Sequence, residues 1–267
     1  MKETNQGDKT RNEYWNEKYY EYWKSRVDEA NTQKGRSTII KNDSVTTSDL
    51  IYFSAINLLE IQKTDAVLEI GCGFGRSISY ISDLCKRVSA IDISEKMIVE
   101  AKKNNGTVKN VDFFVSEAEN TPFSNESFDK VICFAVFDAL NQTQSLLEMN
   151  RVLKNNGKLL ITGKNDHYSQ HDVEAINAEE GARKKQHPNF FTDVNKLVGM
   201  LNVSFGFEIV VEKYYPKRGD FTKNIFNSNK PGSFYEYLFV LKKINPGLSI
   251  SSNISKTFKN LKIKPAQ

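Results

Sequence analysis

The chain has 267 residues, 39% of them hydrophobic and 26% charged, with a formal net charge of +4. That balance suits a soluble globular protein, and no apolar run approaches the ~20 residues that a membrane-spanning helix needs. Six lysines after Glu236, with no Asp or Glu among them, more than account for the net charge, so the body of the chain is not basic and a nucleic-acid partner is not expected.

Taken in order, the polar start from Met1 to Arg11 has no signal-peptide core. Glu13 to Val27 is crowded with aromatics, and Trp15, Tyr19, Tyr22 and Trp23 have the i, i+4, i+7, i+8 spacing of one helical face. Such a stripe either packs on a core or closes over a ligand. Asp28 to Ser44 reads as a loop. Thr46 and Asp49 fit a capping box for a helix bearing Ile51, Ala55, Leu58 and Leu59.

Ala66 to Ile70 is a short apolar run that reads as a buried parallel strand. Gly71, Gly73 and Gly75 follow at alternate positions, then Ile78, Ile81 and Cys85 at helical spacing. A strand, a glycine turn and a helix place a ligand at the carboxyl end of the strand. The dinucleotide fingerprint G-x-G-x-x-G requires a third glycine where this chain has Arg76. Glu69, just before the turn, suits a cationic ligand better than a pyrophosphate. S-adenosylmethionine (SAM), with an ammonium, a sulfonium and a ribose but no phosphate, is such a ligand.

Val88 to Ile91 reads as a second strand ending at Asp92, 21 residues after Gly71. That is close to the spacing of an acid that accepts from ribose hydroxyls. Ser94 caps a helix through Met97, Ile98 and Ala101. Val111 to Val115 is a third strand and Val131 to Val136 a fourth, with Phe137 and Asp138 just past its carboxyl end. Leu146, Met149 and Leu153 mark a helix, and Lys158 to Thr162 a fifth strand. Gly163 to Pro188 is a long segment holding all three histidines. Thr192 caps a helix bearing Val194, Leu197, Val198 and Leu201. Phe207 to Val211 and Tyr235 to Leu241 close the pattern as an antiparallel pair. The three cysteines, Cys72, Cys85 and Cys133, fall in apolar elements with no CxxC pair. This points to reduced thiols, a cytoplasmic setting and no metal site.

Several of these stretches resemble the class I SAM-dependent methyltransferases, small-molecule type. Val67–Gly75 is similar to the first motif of that family. Trp15-Asn16-Glu17-Lys18-Tyr19 is similar to its Trp–Asn/Asp–x–x–Tyr segment. Glu117-Ala118-Glu119-Asn120-Thr121-Pro122-Phe123, with Ser127-Phe128-Asp129 after it, resembles the acid-Ala-Glu-x-x-Pro-Phe … Ser-Phe-Asp run. Glu148, Arg151-Val152-Leu153-Lys154 and Gly157 resemble the family's Glu-x-x-Arg-Val-Leu-Lys turn, with Asn155-Asn156-Gly157 where Pro-Gly-Gly is usual. Glu117 stands where Asp is more common.

The resemblance implies an α/β fold: a Rossmann-like seven-stranded sheet, mostly parallel, last strand antiparallel, helices on both faces. It implies SAM as cofactor, held by Trp15, Tyr19, Glu69, Gly71, Cys72, Gly73, Gly75, Asp92, Ile93, Met97, Glu117, Ala118 and Phe134. In it Asp92 grips the ribose, Ile93 packs on adenine, and Glu117 accepts from the adenine amino group. The domain expected over 46–243 follows an aromatic lid segment (1–45) and precedes a basic flexible tail (244–267), with an acceptor cover at about 163–192. The acceptor is expected to be a small molecule methylated on O or N, with His167, His171 and Asp138 as candidate bases. A macromolecular acceptor, or cofactor binding without transfer, remain as alternatives. Ile254, Phe258 and Leu261 form a short apolar stripe among lysines, a pattern that gives at most weak peripheral membrane contact and no insertion.

Overall fold

The computed structural model describes residues 11–25, 47–184 and 187–244. The expected cap Thr46, the loop from Asp28 to Ser44 and the tail stripe Ile254–Phe258–Leu261 lie outside these residues. Seven strands, β1 (Ala66–Ile70), β2 (Arg87–Asp92), β3 (Val111–Val115), β4 (Phe128–Cys133), β5 (Leu153–Lys164), β6 (Phe207–Tyr215) and β7 (Glu236–Lys243), form one sheet. Their order is β3-β2-β1-β4-β5-β7-β6, with β7 antiparallel to both its neighbours. This is the expected Rossmann-like α/β architecture. The helices are α1 (11–25), α2 (Thr47–Asn57), α3 (Ile78–Ser82), α4 (Glu95–Asn104), α5 (Gln142–Val152), α6 (Val173–Lys184), α7 (Val194–Phe205) and α8 (Asp220–Lys223). None of the described helices is long and apolar enough to cross a membrane. The chain divides into two compact units, Met1–Ala118 and Glu119–Gln267.

In the first unit β1 and β2 pair in parallel from Ala66↔Arg87 to Ile70↔Ile91. Every residue of β1 is buried, even Glu69, as befits a strand covered on both faces. Ser94 caps α4 by accepting from the Met97 N–H at 3.2 Å, and Met97, Ile98 and Ala101 are buried as expected. Asp49 pairs with Arg76, whose guanidinium also lies 4.3 Å from the centre of the Tyr52 ring.

The aromatic helix forms, but its predicted face is not the one that is buried. Tyr14–Tyr19 is a π-helical turn, which takes up more residues per turn than an α-helix and so rotates the face beyond it. Tyr20 is therefore the buried ring, 6.0 Å from Phe74, while Tyr22 is exposed.

In the second unit three boundaries differ from the sequence reading. β4 starts earlier, at Phe128, and stops at Cys133, because Ala135 takes a left-handed φ of 58°. Asn155-Asn156-Gly157 is a bulge inside β5 rather than a turn before it. Leu153 pairs with Phe128 and Lys158 with Lys130, and Asn156 at φ 62° takes up the slack. Leu153 thus belongs to the strand, not to the helix. α7 is capped by Asp193, which accepts from the Lys196 N–H at 3.0 Å; the Thr192 hydroxyl is engaged by Gln142 and Tyr237 instead. The segment between β5 and α7 contains α6, which its sequence did not announce.

The Glu148 and Arg151 pair locks the turn around β4. Glu148 Oε1 accepts from the Thr121 N–H (2.7 Å), the Thr121 hydroxyl (2.6 Å) and Arg151 Nη2 (2.7 Å), and Oε2 accepts from Arg151 Nε (2.7 Å). Burial alone would raise the Glu148 pKa, but these donors outweigh it and hold the carboxyl below its usual range.

Candidate functional site

The glycine turn leaves β1 in a conformation that the sequence permits at few other places. Gly71, Gly73 and Gly75 all have positive φ (69°, 52° and 75°), which costs glycine nothing and other residues roughly 1 kcal/mol or more. Gly73 and Gly75 differ in purpose. A Cβ on Gly75 would collide with the Asn105 amide and approach Ala101, so Gly75 lets α4 pack. A Cβ on Gly73 would meet nothing within 4 Å, so the backbone there faces open space.

Asp92 ties this turn to the end of β2. Its Oδ2 accepts from the Gly73 N–H at 3.0 Å and its Oδ1 from the Ser94 N–H at 2.9 Å. The Gly71 and Cys72 N–H groups both donate to the Ile91 carbonyl, at 2.8 and 3.0 Å. Burial raises the Asp92 pKa above the ordinary value, opposed by the backbone N–H groups of Ser94, Gly73 and Ile93. A carboxylate has about four lone-pair positions, so the backbone donors leave capacity for a ligand's hydroxyl.

Glu69 is buried beneath the turn. Its Oε1 accepts from the Ser77 hydroxyl, while its Oε2 is buried with no hydrogen-bond partner. Burial pushes its pKa up to about 7; the Ser77 hydrogen bond works against the rise, and the neighbouring Asp92 adds to it. A buried polar atom without a partner is costly, and a ligand ammonium would supply the missing donor. The unpartnered Oε2, the open face at Gly73 and the spare capacity of Asp92 together fit SAM, and they do not fit a pyrophosphate. Cys72 is buried, and burial drives its thiol well above the ordinary pKa, so it packs as a neutral group.

α1 belongs to this cradle through a residue that the aromatic pattern hid. The Asn16 side-chain oxygen accepts from the Ser94 hydroxyl at 3.0 Å and the Lys96 N–H at 3.2 Å, and Glu17 pairs with Lys96 at 2.7 Å. Trp15 and Tyr19 are half-buried with ring centres 4.4 Å apart. Burial pushes the Tyr19 hydroxyl up to about 12. Ile93 is half-buried between Asp92 and Ser94, Met97 is buried one turn into α4, and Ala118 is buried. Glu117 is half-buried, and its carboxylate makes no hydrogen bond or ion pair with a described residue.

The other named residues lie in the second unit. Phe134 is half-buried at the carboxyl end of β4, its ring 5.5 Å from Phe221. Asp138 Oδ1 accepts from the Lys164 N–H at 2.9 Å, and its backbone carbonyl accepts from the Phe190 N–H at 2.6 Å. Burial pushes its pKa up to about 6, against the pull of Lys164. His167 is exposed and pairs with Asp166, and His171 is exposed. Asp166, His167 and Asp193 bring three ligand atoms within 4.8 Å of one another, but Asp193 is already spent on capping α7.

Sequence reasoning missed a second set of polar groups around Asp138. Glu179 accepts from the Tyr235 hydroxyl at 2.7 Å and lies 3.7 Å from Lys164 Nζ, and Arg218 donates to the same Tyr235 hydroxyl at 3.2 Å. Glu236, directly across from Lys164 in the β5–β7 ladder, completes the group. The one available signal was a charged residue opening an otherwise apolar strand, Glu236 to Leu241.

A glycine turn pinned by a strand-end acid, with a second acid beneath it and one reversed strand in a seven-stranded sheet, is a Rossmann-like arrangement of the kind that SAM-dependent methyltransferases have. Residues 68–161 match the family described as a methyltransferase domain. The chain is 42% identical over 106 residues to the uncharacterized protein MJ1252 of Methanocaldococcus jannaschii, a match covering 39% of this chain and 38% of that protein. It is 36% identical over 97 residues to the uncharacterized methyltransferase YodH of Bacillus subtilis, covering 35% of this chain and 41% of that one. The match therefore spans about two fifths of the length of these relatives. A geranyl diphosphate methyltransferase in complex with SAM has the same fold, with a TM-score of 0.58 and 15% identity over 74% of this chain and 85% of that chain.

Proposed function

We propose that the chain is a SAM-dependent methyltransferase that acts on an O or N atom of a small-molecule acceptor. The observation that carries this reading is the pair of acids at the glycine turn: Glu69 with its buried, unpartnered Oε2, and Asp92 at the end of β2. Glu69 would hold the ammonium of the cofactor and Asp92 its ribose. When bound, the cofactor supplies a methyl group already activated on a sulfonium. The chain's task is then orientation and exclusion of water, and orientation alone contributes up to ~7–11 kcal/mol in well-ordered cases. A small acceptor agrees with a body that carries no excess of basic residues. A solved neighbour named for geranyl diphosphate offers a small-molecule precedent within the same fold.

Calorimetric titration with SAM, S-adenosylhomocysteine and NAD tests the cofactor. Binding of the first two and not of NAD is expected; tight NAD binding would overturn the reading. Asp92→Ala should weaken SAM by at least roughly tenfold, because charge-assisted bonds contribute ~1.5–3 kcal/mol and each decade is ~1.4 kcal/mol. Comparing metabolites of cells with and without the protein for a gain of one methyl group identifies the acceptor.

A further inference from the structure

Asp92 is held from two sides, and α1 bears on both. The carboxylate accepts from the Ser94 N–H through Oδ1 and from the Gly73 N–H through Oδ2, at 2.9 and 3.0 Å. On the side of the turn, the Tyr20 ring lies 6.0 Å from that of Phe74, the residue between Gly73 and Gly75. On the side of α4, Asn16 reaches Ser94.

Ser94 is fully buried, so its hydroxyl needs partners inside the fold. A hydroxyl has one proton and two lone pairs. One lone pair takes the Met97 N–H at 3.2 Å, and the proton goes to Asn16 Oδ1 at 3.0 Å. The same amide oxygen accepts from the Lys96 N–H at 3.2 Å. The first N–H groups of a helix have no partner within it. In α4 Ser94, the local cap, serves Met97, while Lys96 is served by a residue 80 positions earlier in the chain. The Asn16 amide is itself oriented: its Nδ2 donates to Glu17 Oε1 at 3.3 Å, and Glu17 Oε2 pairs with Lys96 Nζ at 2.7 Å. Asn16 also sits in the π-helical turn Tyr14–Tyr19, a feature frequent at functional sites.

We propose that Asn16 is a positioning residue for cofactor binding: by fixing Ser94 it sets the orientation of the Asp92 carboxylate toward the ribose. The proposal rests on the reading of Asp92 as the ribose acceptor; the part played by Asn16 rests on these hydrogen bonds. Without the Asn16 oxygen, the buried Ser94 hydroxyl must turn to another acceptor, and the Lys96 N–H loses its own. The Ser94 N–H then shifts from Asp92 Oδ1, and the carboxylate turns about its Cβ–Cγ bond, a torsion that is broad for aspartate. A ribose hydroxyl then meets an acceptor that is no longer aimed at it, and the loss falls on the ribose. A helix that only covers the cofactor would weaken all of the ligand's contacts alike.

Calorimetry with two ligands isolates the ribose: S-adenosylhomocysteine, and its dideoxyribose analogue, which lacks both ribose hydroxyls. The wild-type chain should prefer the first by at least roughly tenfold, the scale of a charge-assisted contact. Asn16→Ala should shrink that preference about fivefold, the scale of one neutral hydrogen bond, and leave affinity for the analogue within about twofold. Asn16→Asp keeps an oxygen acceptor for Ser94 and Lys96, at a helix N-terminus that favours negative charge, and should keep the preference. Binding of the analogue by Asn16→Ala reports that the variant is folded. An unchanged preference in Asn16→Ala, an equal loss for both ligands, or as large a loss of preference in Asn16→Asp overturns the proposal alone. A wild-type chain that binds neither ligand, or both equally, overturns the cofactor reading and the proposal with it.

Discussion

At the scale of single residues, Glu69 makes a prediction in pH. Its carboxyl titrates near 7 in the free protein because burial disfavours the charge. An ammonium at Oε2 would favour the ionised form and lower that value. Affinity for S-adenosylhomocysteine should therefore be constant above about pH 7 and fall as pH drops through it. The fall should approach roughly tenfold per pH unit until the lower, ligand-bound value is reached. Titration calorimetry across pH checks the slope, and Glu69→Gln should flatten it while weakening binding. The place of Asp92 at the end of β2 was legible from the sequence, and the structure ties it to the glycine turn through the Gly73 N–H. Glu236 was not legible, because one acid at the start of a strand looks like any solvent-facing end. Its cross-strand neighbour on β5, Lys164, lies 72 residues away in the chain.

At the scale of elements, boundaries were read less well than centres, and each miss has a local cause. The π-turn in α1 displaced the buried ring from the stripe to Tyr20. The bulge at Asn156 let β5 start five residues early, at Leu153. Asp193 and Thr192 compete for one cap, and Thr192 loses because its hydroxyl is already satisfied by Gln142 and Tyr237. The Glu148–Arg151 lock is an element-scale device. Within the motif that resembled the methyltransferase family, the Glu148 and Arg151 side chains bond to Thr121, Asn125 and each other, so this pair holds the fold. Arg151→Ala should leave the Glu148 carboxylate short of its charged partner and lower unfolding free energy by about 1–3 kcal/mol, measured by urea denaturation. Cofactor affinity should not change. For α1, Asn16→Ala removes the acceptor that Ser94 and Lys96 share. It should speed proteolysis of the helix, measured with and without S-adenosylhomocysteine.

At the scale of the whole molecule, a ligand that binds only the folded chain stabilises it by mass action. S-adenosylhomocysteine at a hundred times its dissociation constant should add about 2.7 kcal/mol, read as a rise in melting temperature. Asp92→Ala should lose most of that rise at the same ligand concentration. The fold class was legible because parallel strands, glycine turn and helix recur in an order that few other architectures share. The polar cluster around Asp138 was not, because it is assembled from α6, the β6–β7 connection and the reversed strand β7, whose residues follow no short motif.

The hydrogen bonds that Asp92 makes to the Gly73 and Ser94 N–H groups carry a kinetic consequence. The turn is held in shape before any ligand arrives, so no slow ordering step stands between encounter and capture. Stopped-flow association with S-adenosylhomocysteine should show a single phase whose rate rises linearly with concentration. Replacing Asp92 should then shorten the residence time of the complex far more than it slows arrival.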